Sequence, residues 1–167
     1  MKVFKTVSSL AAAVLLMAGC AFNAVQPGMS REEVIAHSGA PTRTVPLSSG
    51  TRLQYSGQPA GQWAVMVDLD TAGKVVSVRQ VLNPREFARV EPGKWTREDM
   101  EREFGRPAII DHVASWPGDI MTYRWLENYS QGMFFWAYLD DHNVVQRTGQ
   151  GMEFPVESPM RLMRKVR

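Results

Sequence analysis

The chain has 167 residues but only one cysteine, Cys20, and only three histidines, His37, His112 and His142. A lone cysteine excludes an internal disulfide and a thiolate metal cluster. The histidines stand far apart, and neither a His-x-x-x-His nor a Cys-x-x-Cys spacing occurs. The usual metal-ligand patterns are therefore missing. No serine sits in a Gly-x-Ser-x-Gly context, and neither glycine-rich phosphate loop is present. That removes the familiar nucleophile and nucleotide signatures. His37 has a simpler use, complementing the dipole at a helix C-terminus. These absences predict a protein that is not an enzyme and holds neither metal nor cofactor.

Net charge is also scarce. Lys and Arg total 19 against 17 Asp and Glu, and two of the basic residues are Lys2 and Lys5. Without them the charges balance, so the composition predicts no nucleic-acid partner. One asymmetry remains, the basic tail at 153–167, ending in Arg161-Leu162-Met163-Arg164-Lys165-Val166-Arg167. Such a tail reads either as a frayed, solvated terminus or as a surface for anionic lipid headgroups.

Long apolar runs are missing too. Leu10 to Met17 is too short to span a bilayer as a helix, and with Lys2 and Lys5 before it the segment reads as a targeting signal. Met17-Ala18-Gly19-Cys20 resembles a bacterial lipoprotein cleavage box, with Met where Leu is commoner. The resemblance implies a signal peptide at 1–19, acylation such as palmitate at Cys20, and a lipidated tether at 20–24. Each buried methylene of the lipid adds about 0.8 kcal/mol, so several chains give a stable membrane anchor. Ala21 after the cysteine favours the outer membrane over the inner, by analogy with enterobacterial sorting. The plainer alternative is an ordinary secretory signal with a chance cysteine.

What the chain does have is a duplicated stretch. Val25-Gln26-Pro27-Gly28-Met29-Ser30-Arg31-Glu32-Glu33-Val34, closed by Gly39-Ala40-Pro41, returns as Val90-Glu91-Pro92-Gly93-Lys94-Trp95-Thr96-Arg97-Glu98-Asp99-Met100, closed by Gly105-Arg106-Pro107. Ser30 and Thr96 suit a helix N-cap, a contact worth about 1 kcal/mol. Glu33 and Asp99, three residues on, complete capping boxes, and Met29 with Val34 and Trp95 with Met100 fit hydrophobic staples. Gly39 and Gly105 fit the C′ position, and the prolines prevent a restart. Two short helices of about eight residues follow.

These residues resemble the SmpA/OmlA (BamE-like) family of outer-membrane lipoproteins. Pro-Gly-Met-Ser-x-Glu-Glu-Val followed by Gly-x-Pro carries the likeness in the first copy, whereas the second has Lys94-Trp95 where the pattern has one Met. A chain with two such units also resembles the tandem-repeat β-lactamase inhibitor proteins. The resemblance implies an envelope protein on the periplasmic face of the outer membrane. Its expected partners are the membrane, through Cys20, and envelope proteins, barrel-assembly components among them.

Alternation and turn residues predict strands at Thr42–Pro46, Arg52–Tyr55, Trp63–Leu69 and Lys74–Leu82, then at Ala108–Val113, Ile120–Leu126, Met133–Leu139 and Val144–Arg147. The expected fold class is α+β, as two tandem repeats, each a short helix packed on a small antiparallel β-sheet. The repeats run 25–89 and 90–152. About 65 residues make a marginal core, and the segment Asn83–Arg89 lacks linker composition, so the halves are expected to touch. Asp68 with Asp70, and Asp140 with Asp141, look like carboxylate pairs, but their recurrence at matching hairpins favours turn chemistry.

Aromatic residues crowd the second half. Phe134, Trp136 and Tyr138 alternate with the apolar Met133, Phe135, Ala137 and Leu139, so a strand here is apolar on both faces. One face packs inward; the other is either covered or a recognition surface. Trp116, Tyr123, Phe134, Trp136 and Tyr138 are the expected partner-binding residues, with a Trp116 folded back onto the sheet as the alternative. Two readings follow: a non-catalytic protein-binding lipoprotein of the envelope, or an inhibitor-type or small-ligand and lipid-binding periplasmic lipoprotein using the aromatic sheet face.

Overall fold

A computed structural model describes residues 22 and 24–153. In order, these form α1 (Arg31–Ser38), β1 (Arg43–Leu47), β2 (Gly50–Ser56), β3 (Ala64–Leu69), β4 (Val75–Gln80), α2 (Pro84–Phe87), α3 (Arg97–Phe104), β5 (Ile109–His112), β6 (Asp119–Glu127), β7 (Gln131–Leu139) and β8 (Val145–Met152). The first four strands make one antiparallel sheet in the order β1-β2-β3-β4, and the last four make a second, β5-β6-β7-β8. Among the described residues no helix is long and apolar enough to cross a membrane.

The local signals act as their chemistry dictates. Ser30 and Thr96 accept from the amides of Glu33 and Asp99, whose carboxylates accept in return from the cap amides. Those hydrogen bonds hold the Glu33 carboxyl below its ordinary range, the Ser30 backbone contact being the largest cause. The Pro-Gly pairs have a second job. Gly28 and Gly93 take positive φ (91° and 79°), a conformation glycine adopts without penalty. Their amides then donate to the carbonyls of Val75 and Val145, clamping each helix entrance to the start of the last strand of its sheet.

The α+β expectation is overturned. The described residues are mostly antiparallel sheet, and the helices are an eight-residue, a four-residue and another eight-residue segment. Nor does each helix pair only with its own sheet. Helix α1 fully buries one side chain, Val34. Helix α3 packs against β3 of the first sheet, and Met100 and Phe104 share one core with Ala64 and Met66 of that strand and with Tyr123, Phe135 and Leu139 of the second sheet. The physical reason is area: a single small sheet under one short helix leaves apolar surface in water, whereas α3 between two sheets covers both. Helix α2 closes the same core, with Phe87 stacked on Phe135 at 4.1 Å between ring centroids.

Strand parity defines the layers. Leu53, Tyr55, Val65, Val67 and Leu69 form a separate core with Val34 on the α1 side of the first sheet. The opposite face of that sheet presents Arg52, Gln54, Met66 and Asp68 towards α3. Arg52 bonds the Asp68 carboxylate through Nε and Nη2 at 2.6 and 3.0 Å, meets Glu103 at 3.1 Å, and donates to the Arg102 carbonyl at 2.9 Å. Gln54 donates to the carbonyls of Glu101 and Arg102, each at 2.9 Å. The sequence of layers is therefore α1, first sheet, α3, second sheet.

Candidate functional site

In the second sheet, β6 and β7 pair Tyr123 with Phe135 and Thr122 with Trp136. Tyr123 and Phe135 accordingly point inward, and Thr122, Phe134, Trp136 and Tyr138 point away from α3. The expectation that Tyr123 binds a partner is thus corrected. It is fully buried, its hydroxyl donates to the Gly105 carbonyl at 3.0 Å, and burial pushes its phenol well above the usual range. Register decided this, because Tyr123 falls one residue out of step with the outer row. Tyr55 does the same work in the first half, donating to the Gly39 carbonyl at 3.1 Å.

Of the remaining four aromatics, Phe134, Trp136 and Tyr138 form a partly buried row on the outer face of β7. Trp136 lies across β8 where Gly149 and Gly151 stand: a Cβ built on Gly151 would come within 2.8 Å of its ring, and one on Gly149 within 3.5 Å. Glycine here is what lets the indole lie flat on backbone. Phe134 follows at 5.8 Å between centroids. At the other end Tyr138 meets Trp116 edge-on at 5.3 Å, and the Arg147 guanidinium sits 4.1 Å over the Tyr138 ring. Trp116 does fold back, its indole N–H donating to the Leu139 carbonyl. It braces the row rather than projecting from a loop tip.

Two apolar neighbours complete this face and were not singled out from the sequence. Ile109, 42% exposed, pairs with Thr122 from the edge strand β5. Ile120 lies in the same row of β6 as Thr122. The Thr122 hydroxyl is buried and has no hydrogen-bond partner among the described residues. The only sequence signal for Ile109 was an apolar pair, Ile109-Ile110, in a strand whose four residues are all exposed.

Elsewhere the polar clusters are structural. Asp140, Asp141 and His142 bring ligand-type atoms within 4.8 Å of one another. One Asp140 oxygen, however, accepts from the amides of His142 and Val144, and the other from Gln146. The Val144 amide is the largest cause holding the Asp140 carboxyl below its ordinary range. Asp70 caps its turn in the same way, accepting from Ala72 and Lys74. Asp68 is the partner of Arg52. Burial opposes its ionisation, but Arg52, Arg79 and Ser77 outweigh burial and keep the carboxyl low. His37 and His112 are exposed, and His112 stands 3.5 Å from Asp119. No nucleophile, base and orienting group converge among these described residues. Cys20 and the tail Arg161 to Arg167 lie outside the described residues.

No protein-family model matches the chain, and no curated protein matches it. Among solved structures, a DUF4309 family protein, YjgB, from Bacillus subtilis is similar at 14% identity, over 74% of this chain and 78% of that one, with a TM-score of 0.29. A superposition that loose carries no argument about fold or function.

Proposed function

We propose that this chain is a cell-envelope lipoprotein that acts as a non-catalytic protein-binding module. It is anchored through Cys20 in the outer membrane, faces the periplasm, and resembles the SmpA/OmlA family. The observation that carries the binding role is the outer face of the second sheet. There Phe134, Trp136 and Tyr138 stand partly buried beside the exposed Ile109, between the Arg124–Glu153 pair with the Gln58–Gln62 loop at one end and Trp116 with Arg147 at the other. An apolar, aromatic surface of this kind is the usual composition of a protein interface centre. The row forms a surface rather than a cavity. A groove of about 450 Å³ lies elsewhere, between Gln80–Pro84 and Trp125–Tyr129. A protein partner therefore fits the row better than a small ligand.

The test is affinity purification of the lipidated protein from its own envelope, beside a Phe134→Ala/Trp136→Ala variant with unchanged circular dichroism. Envelope proteins, barrel-assembly subunits among them, should copurify with the wild type and be lost from the variant. Identical recoveries from both would remove the aromatic face as the site.

A further inference from the structure

The contact between α3 and the first sheet shows what a helix on such a face looks like, and the chain carries an unmatched half of that contact at each end. On the internal junction Arg43 of β1 pairs with Glu101 of α3 at 2.9 Å, Arg52 pairs with Glu103, and Gln54 donates to the carbonyls of the last helical turn. Matched register places Ile109, Ile120 and Thr122 on the outer face of the second sheet where Arg43, Arg52 and Gln54 stand in the first. Matched caps place Ile35 and His37 of α1 where α3 has Glu101 and Glu103. The charged pair Arg43–Glu101 thus corresponds to an isoleucine at each open end.

Other features agree. A Cβ on Gly105 would touch Met66, Ser56 and Gln54 of the first sheet, whereas one on Gly39 would meet nothing within 4 Å. Among the described residues, no sheet lies against Gly39 at the end of α1 as the first sheet lies against Gly105 at the end of α3. At the other end, the buried Thr122 hydroxyl has no partner at the position from which Gln54 reaches helix carbonyls.

Resting on the protein-binding reading above, we infer that the partner of the aromatic face is a second copy of this chain. The flank of α1 beside Gly39 in one molecule docks on the outer face of the second sheet in the next. The contact repeats the internal junction with an apolar Ile35–Ile109 pair in place of Arg43–Glu101. It is heterologous, so copies add head to tail, and chain length grows with concentration.

The experiment is sedimentation velocity of the protein purified from membranes in mild detergent, over a concentration series. The wild type should associate in a concentration-dependent way. Ile35→Glu and Ile109→Arg should each weaken association about tenfold or more, as expected for the centre of an interface. The double variant I35E/I109R should recover most of the loss, because it rebuilds the internal charge pair between molecules. Ile109 is exposed and Ile35 is partly buried, and circular dichroism checks that each single variant folds. A monomeric wild type overturns the inference, and so does an association that the double variant fails to restore. If that happens while the Phe134→Ala/Trp136→Ala variant still loses envelope partners, the face binds a different protein and the reading above stands. If the recoveries are also unchanged, both fail.

Discussion

The faces that the two sheets turn away from the helix of their own half occupy matching positions and have opposite chemistry. On the first sheet the row that meets α3 is Ala64, Met66 and Asp68 beside Arg52 and Gln54. On the second the same row is Phe134, Trp136 and Tyr138 beside Ile120 and Thr122. The covered face uses buried charges and amides to hold a helix end. The uncovered one is apolar and aromatic. A face that folding always covers within one chain tolerates polar groups, because their partners are always in place. The binding role proposed for the second face asks instead for area that gains by leaving water.

The largest expected effect tests that distinction within one strand. Phe135→Ala should cost about 3–5 kcal/mol in urea unfolding, since Phe135 is 2% exposed against Phe87 and Phe104. Trp136→Ala should cost far less, despite the larger side chain. Comparable losses would mean that both faces of β7 are core. Nearly as large is the effect of Arg52→Ala, which takes the nearest cation from the partly buried Asp68 and Glu103 and leaves Asp68 only Arg79 at 3.6 Å and Glu103 only Arg102 and Arg89 at 3.3 and 3.6 Å. A loss of about 3 kcal/mol is expected, measured the same way. A change under about 1 kcal/mol would show that the charges do not tie the halves together.

Tyr123→Phe and Tyr55→Phe compare the two helix ends. Each removes a hydroxyl from a carbonyl after a helix, but the contact of Tyr123 with Gly105 is buried while that of Tyr55 with Gly39 is only partly so. The first should cost about 1–2 kcal/mol and the second less. Acid gives a related test. Asp68 has its carboxyl lowered by Arg52 and Asp99 by the Thr96 cap and Arg102, each against the opposing effect of burial. Their stabilisation is complete above the unfolded carboxyl value of about 3.9 and is lost as pH falls through the lower folded values. Urea midpoints should therefore drop steeply below about pH 4, and Asp68→Asn should flatten that drop. The smallest expected effect is Thr122→Val, which removes an unpartnered buried hydroxyl and should be neutral or stabilising by under about 1 kcal/mol. A clear loss would mean that the hydroxyl has a partner in the free protein.

Much of the local structure was legible. The caps at Ser30 and Thr96 and the turns at Asp70 and Asp140 depend on side chains within four residues of the groups they bind. The eight strands also lie where alternation puts them, with ends shifted by a few residues. The fold class was misjudged because cap signals are strong in sequence while the helices they bound are short, and the sheets supply most of the layers. In the outer row of β7, Phe134, Trp136 and Tyr138 share a face by period two. Tyr123 required the β6–β7 register, which pairs it with Phe135, and Ile109 required the pairing of β5 with Thr122.

Sequence alone determined where helices start, where hairpins turn and which side chains in a strand travel together, because these depend on neighbours along the chain and on the period-two pleat. Alternation divides a strand into two faces without saying which one is inward, and β7 is apolar on both. Only the tertiary structure decided that, by placing α3 between the sheets: it covers Met66 and Phe135, and it leaves Trp136 only partly buried.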